Sequence, residues 1–333
     1  MLDRGWRSVS TQITYRDAIV AAQREALAGD PRVIVMGEDV GAAGGPFKTT
    51  QELYEEFGPR RVRDTPISET AFVGAALGMA VTGYRPIIEL MFADFMGVCF
   101  DQIVNSIAKH RFMCGGRLEV PLVIRTIGGG GARFGAQHSQ TGETWVRQFP
   151  GLKVYCPATA SDAFHLLRQA IDDPDPVIIL EHKALMSTQG EVDFTCRDSE
   201  LKPAPRVVRS GQHATVVSSL AMLRRCIAAA DALSRSGVEA EVIDIRALRP
   251  FDARPILDSV KKTGFLVTVE ENHELGGWGG DVISRAITDV FDWFDRPPVR
   301  VTLPDWPMPY SPALEDATLP SVEQIVAAVV TER

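Results

Sequence analysis

The sequence predicts an α/β fold made of two domains with mainly parallel sheets, and three observations support this. Short apolar runs alternate with stretches of helical periodicity along most of the 333 residues, as in βαβ units. A polar stretch with Pro203 and Pro205 interrupts that alternation and is predicted to be a linker. The length corresponds to about two domains at roughly 100–200 residues each. The predicted boundaries are an N-terminal arm at 1–12, a first domain at 13–190, the linker at 191–212 and a second domain at 213–333.

The first domain is predicted to begin with a helix, because Thr14 can cap it and apolar residues return at helical spacing up to Gly29. Residues 33–36 (VIVM) indicate a short buried strand, and a loop with four glycines follows them. The remaining predicted elements are a helix at 71–82, a strand at 86–90, a helix at 97–111, a strand at 120–126, a helix at 161–172 and a strand at 177–180.

The alternation of strands and helices restarts after the predicted linker. In order, the second domain is predicted to contain a strand at 214–220, a helix at 222–236, a strand at 241–245, a helix at 253–262, a strand at 265–269, a helix at 281–290, a strand at 299–302 and a helix at 321–331.

Composition excludes several classes of protein. The net charge of -8 disfavours non-specific binding to nucleic acid or to an anionic membrane surface. The five cysteines are odd in number and form no C-x-x-C pair, which argues against a disulfide framework or a structural zinc site. There is no apolar run of the ~18 residues that a membrane helix needs, and no signal-peptide pattern at the start. We therefore expect a cytoplasmic enzyme, or a subunit of one.

Two glycine-rich stretches, at 128–131 and 276–280, resemble phosphate-binding loops only superficially. Neither fits G-x-G-x-x-G or G-x-x-x-x-G-K-[ST], so a flexible loop or a close backbone approach is the better interpretation. The sequence also lacks G-x-S-x-G and H-E-x-x-H, and its six histidines have no metal-ligand spacing. A self-contained hydrolase, kinase or metalloenzyme is therefore not predicted.

Glu69 is the first candidate for chemistry, and it has two interpretations. It stands at the start of an almost wholly apolar helix, directly after Ser68. In the structural interpretation Ser68 caps the helix and Glu69 interacts favourably with the positive end of the helix dipole. In the functional interpretation the apolar surroundings raise the pKa of Glu69, so that it can share a proton with a bound heterocycle.

Aromatic residues and one histidine form the other candidates. Phe92 and Phe95 follow the carboxyl end of a predicted strand, the edge at which open α/β sheets bind ligands; ordinary core packing is the alternative. A lone histidine is more often structural, but His138 lies in a glycine-rich loop with polar neighbours, which favours a functional role.

These places also carry a resemblance to a known family. The chain resembles the β subunit of the thiamin-diphosphate-dependent decarboxylating component of 2-oxo acid dehydrogenase complexes, which belongs to the transketolase-like proteins. That group includes pyruvate, branched-chain and acetoin dehydrogenases. The segments that carry the resemblance are ITYRDAI, VIVMGEDVG, DTPISETAFVGAALGMA, MFADF, FDQIVN, AQHSQ, PGLKVYCPATASDAFHLLRQAI, DPVIILEHK, DIRALRPFD and VTVEENHELGG.

The resemblance implies a transketolase-like pyrimidine-binding domain followed by a transketolase C-terminal domain. The family's I-S-E motif, which starts here at Ile67, contributes to cofactor binding. Its glutamate, here Glu69, hydrogen-bonds N1' of the cofactor's aminopyrimidine and so promotes loss of the thiazolium C2 proton. The family's stacking aromatic residue falls on Phe95. The loop histidine, here His138, would handle protons or hydrogen-bond the substrate-derived group.

The resemblance also implies a structural potassium ion. Its site would use backbone carbonyls near Leu122, Ala170 and Ile171, with Asp173 and Asp175 alongside. Asp175 replaces a residue that is often asparagine in the family, which is a departure from the pattern.

A missing motif predicts a partner. Thiamin enzymes hold magnesium and diphosphate with a G-D-G sequence that this chain lacks. In the family an α subunit supplies that half of the site, in an assembly of two α and two β chains, and the acyl group passes to a lipoyl-bearing acyltransferase component. We expect a pyruvate dehydrogenase type of enzyme, with acetoin cleavage and then branched-chain 2-oxo acids as alternatives. A non-catalytic partner-binding chain is a remote alternative, and a stand-alone synthase is disfavoured.

Overall fold

The computed structural model describes residues 10–196 and 202–331. Parts of the predicted arm (1–9) and linker (197–201), together with 332–333, lie outside the described residues. The described residues form two large sheets, of seven and five strands, and these are mostly parallel. The predicted α/β class is therefore confirmed.

The elements of the first sheet and its surroundings are, in chain order, β1 (Ser10–Thr14), α1 (Tyr15–Gly29), β2 (Val33–Gly37), α2 (Leu53–Phe57), β3 (Val62–Asp64), α3 (Glu69–Val81), β4 (Arg85–Leu90), a 3₁₀ turn (Ala93–Gly97), a π-helical segment (Gln102–Ile107), α4 (Ala108–Met113), β5 (Val123–Gly128), α5 (Glu143–Arg147), β6 (Lys153–Tyr155), α6 (Ala160–Asp172), β7 (Val177–His182), a 3₁₀ turn (Lys183–Leu185) and β8 (Gln189–Asp193).

The elements that follow are β9 (Arg206–Arg209), β10 (Ala214–Ser218), α7 (Met222–Ser234), β11 (Ala240–Asp244), β12 (Ala247–Arg249), α8 (Arg254–Thr263), β13 (Leu266–His273), α9 (Trp278–Val290), a 3₁₀ turn (Phe291–Trp293), β14 (Val299–Leu303), α10 (Pro312–Thr318) and α11 (Val322–Val330). None of the helices in the described ranges has the length and apolar character needed to cross a membrane.

The seven-stranded sheet has the order β12-β6-β7-β5-β4-β2-β3. Its six strands from the first half of the chain are parallel, so their carboxyl ends meet at one edge. The seventh strand, β12, belongs to the second half of the chain and pairs antiparallel with β6. Because ligands bind at the carboxyl edge of such sheets, this topology indicates where a site should lie.

The five-stranded sheet has the order β14-β13-β10-β11-β9. Its core strands β10, β11, β13 and β14 are parallel, and β9 is antiparallel at one edge. The strand β10, which is wholly buried, reads ATVVS, as expected for a parallel strand covered on both faces.

Two stretches that the sequence assigns to the arm and the linker contain strands. β1 pairs antiparallel with β8, placing Ser10 opposite Asp193, and β9 lies within 191–212. All three are short, and β1 and β8 are mostly polar, so they carry little hydrophobic periodicity. Their pairing joins backbone groups far apart in the sequence, which a local pattern does not reveal.

The predicted helix at 97–111 is also different in the structure. A π-helical segment at 102–107 precedes α4, and the neighbouring 3₁₀ turn ends at Gly97. By contrast, the predicted cap of α1 is confirmed, since the Thr14 hydroxyl accepts a 3.0 Å hydrogen bond from the Asp17 amide.

A buried arginine ties the middle of the first sheet together. Arg125 on β5 donates two hydrogen bonds, of 2.8 and 2.9 Å, to Glu181 on β7, and one of 2.8 Å to Glu89 on β4. All three side chains are almost fully buried. Because one guanidinium serves two carboxylates, three adjacent strands share a single cation.

We predict that Arg125→Met lowers the free energy of unfolding by about 3–5 kcal/mol, because it leaves two carboxylates buried without a cation. Burial raises the pKa of Glu181 to about 7 even with the opposing effect of Arg125. A raised pKa in the folded state means that folding takes up a proton. The decrease in the free energy of unfolding caused by Arg125→Met should therefore become smaller as pH falls from 8 to 5. Urea denaturation at both pH values measures this.

The matched control is Arg32→Met, because Arg32 pairs with Asp30 at the surface. Removing an exposed pair should cost less than about 1 kcal/mol. Equal losses for the two variants, or a loss at Arg125 that does not depend on pH, would contradict the prediction.

Candidate active site at the carboxyl edge of the first sheet

Glu69 lies at the carboxyl edge of the first sheet, as the first residue of α3, and its exposed fraction is 8%. The predicted cap by Ser68 is wrong, because the Ser68 side chain makes no capping hydrogen bond. The helix that follows is apolar on nearly all sides. Of the two interactions in the structural interpretation, capping by Ser68 is therefore absent, and only that of Glu69 with the helix dipole remains.

The Glu69 carboxylate accepts no hydrogen bond from any residue in the described part of the chain. Among the described residues, two polar atoms near this edge are buried without a hydrogen-bond partner, namely Glu38 Oε1 after β2 and Thr65 Oγ1 after β3. Burial raises the pKa of Glu38, and the charges of Glu69 and Asp39 raise it further. Unsatisfied buried acceptors need a donor, so this edge is suited to a ligand that carries N–H groups.

The segment with Phe95 lies next to Glu69. Thr70 on α3 donates a 2.9 Å hydrogen bond to the carbonyl of Val98. Burial raises the pKa of the Cys99 thiol to about 12, and the nearby charge of Glu69 adds to that effect. By contrast, Ile67 is 85% exposed in the loop before α3.

Phe92, Phe95 and His138 form an aromatic cluster, so the structure brings two of the three predicted places together. The His138 ring lies edge-on to Phe92 and to Phe95, with ring centroids 4.7 and 5.4 Å apart. Phe92 is buried, whereas Phe95 and His138 are half-buried. The partly exposed faces of the last two rings are available to a ligand.

The glycine-rich stretch at 128–131 is a close backbone approach, as interpreted from the sequence. A Cβ atom at Gly129, where φ is +81°, would lie 1.9 Å from Nε2 of His182. The amides of Gly130 and Gly131 donate to the carboxylates of Glu271 and Glu315, the second at 2.8 Å. The loop therefore binds anions, and these anions are side chains from the second half of the chain.

We call Glu271 and Glu315 the carboxylate clamp. Glu271 also lies 2.9 Å from His182, and Glu315 receives a 2.6 Å hydrogen bond from Arg133. Burial would raise the pKa of Glu271, but the charge and hydrogen bond of His182 and the Gly130 amide outweigh burial and lower that pKa. These contacts favour the ionised form of Glu271, and the clamp joins the two halves of the chain beside the loop of His138.

Of the three residues predicted to offer carbonyls to potassium, Leu122 directly precedes β5, whereas Ala170 and Ile171 lie in α6. The Leu122 carbonyl accepts a 2.9 Å hydrogen bond from the Val177 amide. The Ile171 carbonyl accepts one of 2.8 Å from Arg85, and Ala170 is fully buried.

The two carboxylates predicted beside potassium meet protein cations. Lys153 donates to both oxygens of Asp173 at 2.7 and 2.6 Å, and Arg111 donates to Asp175 at 2.5 Å. Within residues 10–196 and 202–331, no three or more His, Cys, Asp or Glu side chains form a metal-binding group. Potassium at this place stays a prediction.

Sequence reasoning did not single out Glu38, Lys183 or the carboxylate clamp. Glu38 could have been identified as a candidate site residue, because it directly follows a buried parallel strand. Lys183 and the clamp carry no such signal, because their partners are more than 40 positions away in the sequence.

Known families match both halves of the chain. The transketolase pyrimidine binding domain matches residues 11–189, and the transketolase C-terminal domain matches residues 204–325. Among solved structures, a split gene transketolase described as an inactive β4 tetramer has a TM-score of 0.77 and 25% identity. The match covers 95% of this chain and 97% of that one.

Curated relatives are similar over nearly the whole chain. The pyruvate dehydrogenase E1 component subunit beta of Rhizobium meliloti is 43% identical over 321 residues, which are 95% of this chain and 69% of that protein. The acetoin:2,6-dichlorophenolindophenol oxidoreductase subunit beta of Cupriavidus necator is 43% identical over 330 residues, 96% of this chain and 97% of that protein. The chain therefore belongs to the transketolase-like family of pyruvate dehydrogenase and acetoin oxidoreductase β subunits.

Proposed function

We propose that this chain, together with an α subunit, decarboxylates a 2-oxo acid with thiamin diphosphate and transfers the acyl group to a lipoyl carrier. The observation that carries the proposal is the Glu69 carboxylate, which lies buried at the ligand-binding edge and has no protein hydrogen-bond partner among the described residues. At the same edge of the sheet, Glu38 and Thr65 each hold a buried oxygen with no hydrogen-bond partner among the described residues. An aminopyrimidine offers the N–H groups that such acceptors need.

Each predicted residue has a chemical task in this proposal. When bound, the cofactor supplies a nucleophilic carbon at C2. Glu69 holds a proton at N1' of the pyrimidine, a task that favours a carboxylate in poorly hydrated surroundings. Phe95 stacks on the pyrimidine ring and fixes its orientation. Ile67, two residues before Glu69, borders the pyrimidine. His138, against the Phe92 and Phe95 rings, exchanges a proton with the reacting substrate group.

We propose that the α subunit holds the diphosphate and magnesium. The support is the absence of a G-D-G motif from this sequence. The solved split gene transketolase is described as an inactive tetramer of its β chain, which agrees with a requirement for a second chain in that protein. For the present chain we propose an assembly of two α and two β subunits that delivers acyl groups to a lipoyl-bearing acyltransferase.

Pyruvate is the substrate that the relatives favour. Pyruvate dehydrogenase β subunits from Rhizobium meliloti and Caenorhabditis elegans are each 43% identical to this chain over more than 320 residues. Several such relatives are named mitochondrial. For this chain we propose a cytoplasmic location.

We also propose that potassium binds near Leu122, Ala170 and Ile171, beside Asp173 and Asp175.

Acetoin cleavage is the second candidate, and one specific observation favours it. The acetoin oxidoreductase β subunit of Cupriavidus necator matches over 97% of its own length at the same 43% identity. The sequences RFGAQH around His138 and EHK at 181–183 also resemble acetoin-type members. Branched-chain 2-oxo acids come third. Assays of the α–β enzyme with pyruvate, acetoin and 2-oxoisovalerate separate the three.

We predict that Glu69→Gln slows exchange of the cofactor's C2 proton by about 10²–10⁴, the range typical of losing a positioned acid–base group. The amide keeps the shape of the side chain but cannot hold the proton. Exchange is measured by NMR in the enzyme reconstituted with the α subunit, and a melting curve is recorded for the same preparation.

The matched control is Glu323→Gln, which changes an exposed glutamate in the first turn of α11. It should leave C2 proton exchange unchanged. Normal exchange in Glu69→Gln with a lowered melting temperature would support a helix-terminus role, worth about 0.5–2 kcal/mol, and would reject the catalytic assignment.

We further predict that the isolated chain binds thiamin diphosphate weakly or not at all, because it provides only the pyrimidine half of the site. Addition of the α subunit and magnesium should give tight binding, measured by isothermal titration calorimetry. Tight, magnesium-dependent binding by this chain alone would show that the diphosphate half is present in it.

A further inference from the structure

Lys183 is a buried lysine, and its one direct side-chain hydrogen-bond partner among the described residues is the loop of His138. It follows β7, in the 3₁₀ turn Lys183–Leu185, and its exposed fraction is 7%. Its Nζ donates a 2.5 Å hydrogen bond to the backbone carbonyl of His138. In the described part of the chain, no carboxylate lies within ion-pair distance of this ammonium group.

Two aromatic rings enclose the ammonium group. Nζ lies 5.6 Å from the centroid of Phe92 and 5.7 Å from that of Phe134, within the range of cation–π attraction. The same Phe92 ring contacts the His138 imidazole at 4.7 Å between centroids. Lys183 thus contacts both the backbone of His138 and the ring against which its side chain packs.

This arrangement is costly for the folded protein. Burial lowers the pKa of Lys183 to about 8, although the carboxylates of Asp94, Glu271 and Glu315 act in the opposite direction. When an ammonium group without an adjacent counter-ion is buried, it loses favourable hydration free energy. One carbonyl and two aromatic rings compensate for only part of that loss. Arg125 is different, because two carboxylates contact it directly.

The glycine-rich loop that leads to His138 is held at its N-terminal end by the second half of the chain. The carboxylate clamp binds the amides of Gly130 and Gly131, several residues before His138. Gly135, at φ +72°, lies between the clamp and His138, so the chain can change direction there. Asp94 accepts a 2.9 Å hydrogen bond from Gln140, two residues after His138, and Lys183 holds the loop at the histidine itself.

We propose that Lys183 is the positioning residue of His138, and that its hydrogen bond to the His138 carbonyl keeps the imidazole against Phe92 and Phe95. This inference rests on the proposed function, since it assigns to Lys183 an effect exerted through His138.

The experiment is a double-mutant cycle in the α–β enzyme. We expect Lys183→Met to lower kcat about 10–100-fold with a smaller change in KM, because a misplacement of about 1 Å can cost roughly 10²-fold. In a His138→Ala background, Lys183→Met should lower kcat less than about twofold further, because the residue through which it acts is absent. Lys183→Arg, which keeps a charged donor, should recover most of the activity.

Lys48→Met is the matched control, because exposed Lys48 also donates to a backbone carbonyl, that of Ala43 at 2.7 Å. It should leave kcat unchanged. If Lys183→Met does not assemble with the α subunit, Lys183→Gln takes its place in the cycle with the same expected result.

The outcomes separate the two proposals. Multiplicative losses in the double variant, or a drop in melting temperature with unchanged kcat, would overturn the positioning role and leave the proposed function intact. A His138→Ala enzyme with wild-type kcat would instead reject the role of His138, and the positioning role of Lys183 with it.

Discussion

The arrangement of the candidate site depends on two buried carboxylates that bind backbone amides. Glu271 and Glu315 come from the second half of the chain, whereas the amides that they accept from belong to the glycine-rich loop before His138. Hydrogen bonds to an ionised acceptor are roughly twice as strong as neutral ones, and successive amides in a glycine turn form a natural anion cradle. The second half of the chain therefore holds the loop as an anionic ligand would, and the loop in turn places the histidine.

The sequence was informative wherever the determinant was local. The alternation of apolar runs and amphipathic helices sufficed for the α/β class, and Glu69 was identifiable as a carboxylate at the start of an apolar helix. The pairing of β1 with β8 and the contacts of Glu271, Glu315 and Lys183 were not identifiable. Each joins groups more than 40 residues apart, and each involves backbone amides or carbonyls, which are the same in nearly every residue type.

Two buried cations, Arg125 in the first sheet and Lys183 in the turn after β7, show how burial can serve different purposes. Arg125 is surrounded by two carboxylates, and its contacts cross three strands, so it contributes to the integrity of the sheet. Lys183 has a carbonyl and two aromatic rings instead, and its contacts are with residues of the candidate site. A buried cation in direct contact with carboxylates is explained by the fold, whereas one without such a contact needs a further reason.

The antiparallel pairing of β12 with β6 has a consequence for the order in which the protein is made. Residues 153–155 leave the ribosome long before residues 247–249, which complete their sheet. During that interval β6 is an unpaired edge, and such edges promote association between nascent chains. When the first half has been made up to the end of β8 at Asp193, its sheet therefore waits for about 54 further residues before β12 can complete it. Chaperone contact during synthesis would be most valuable at that stage.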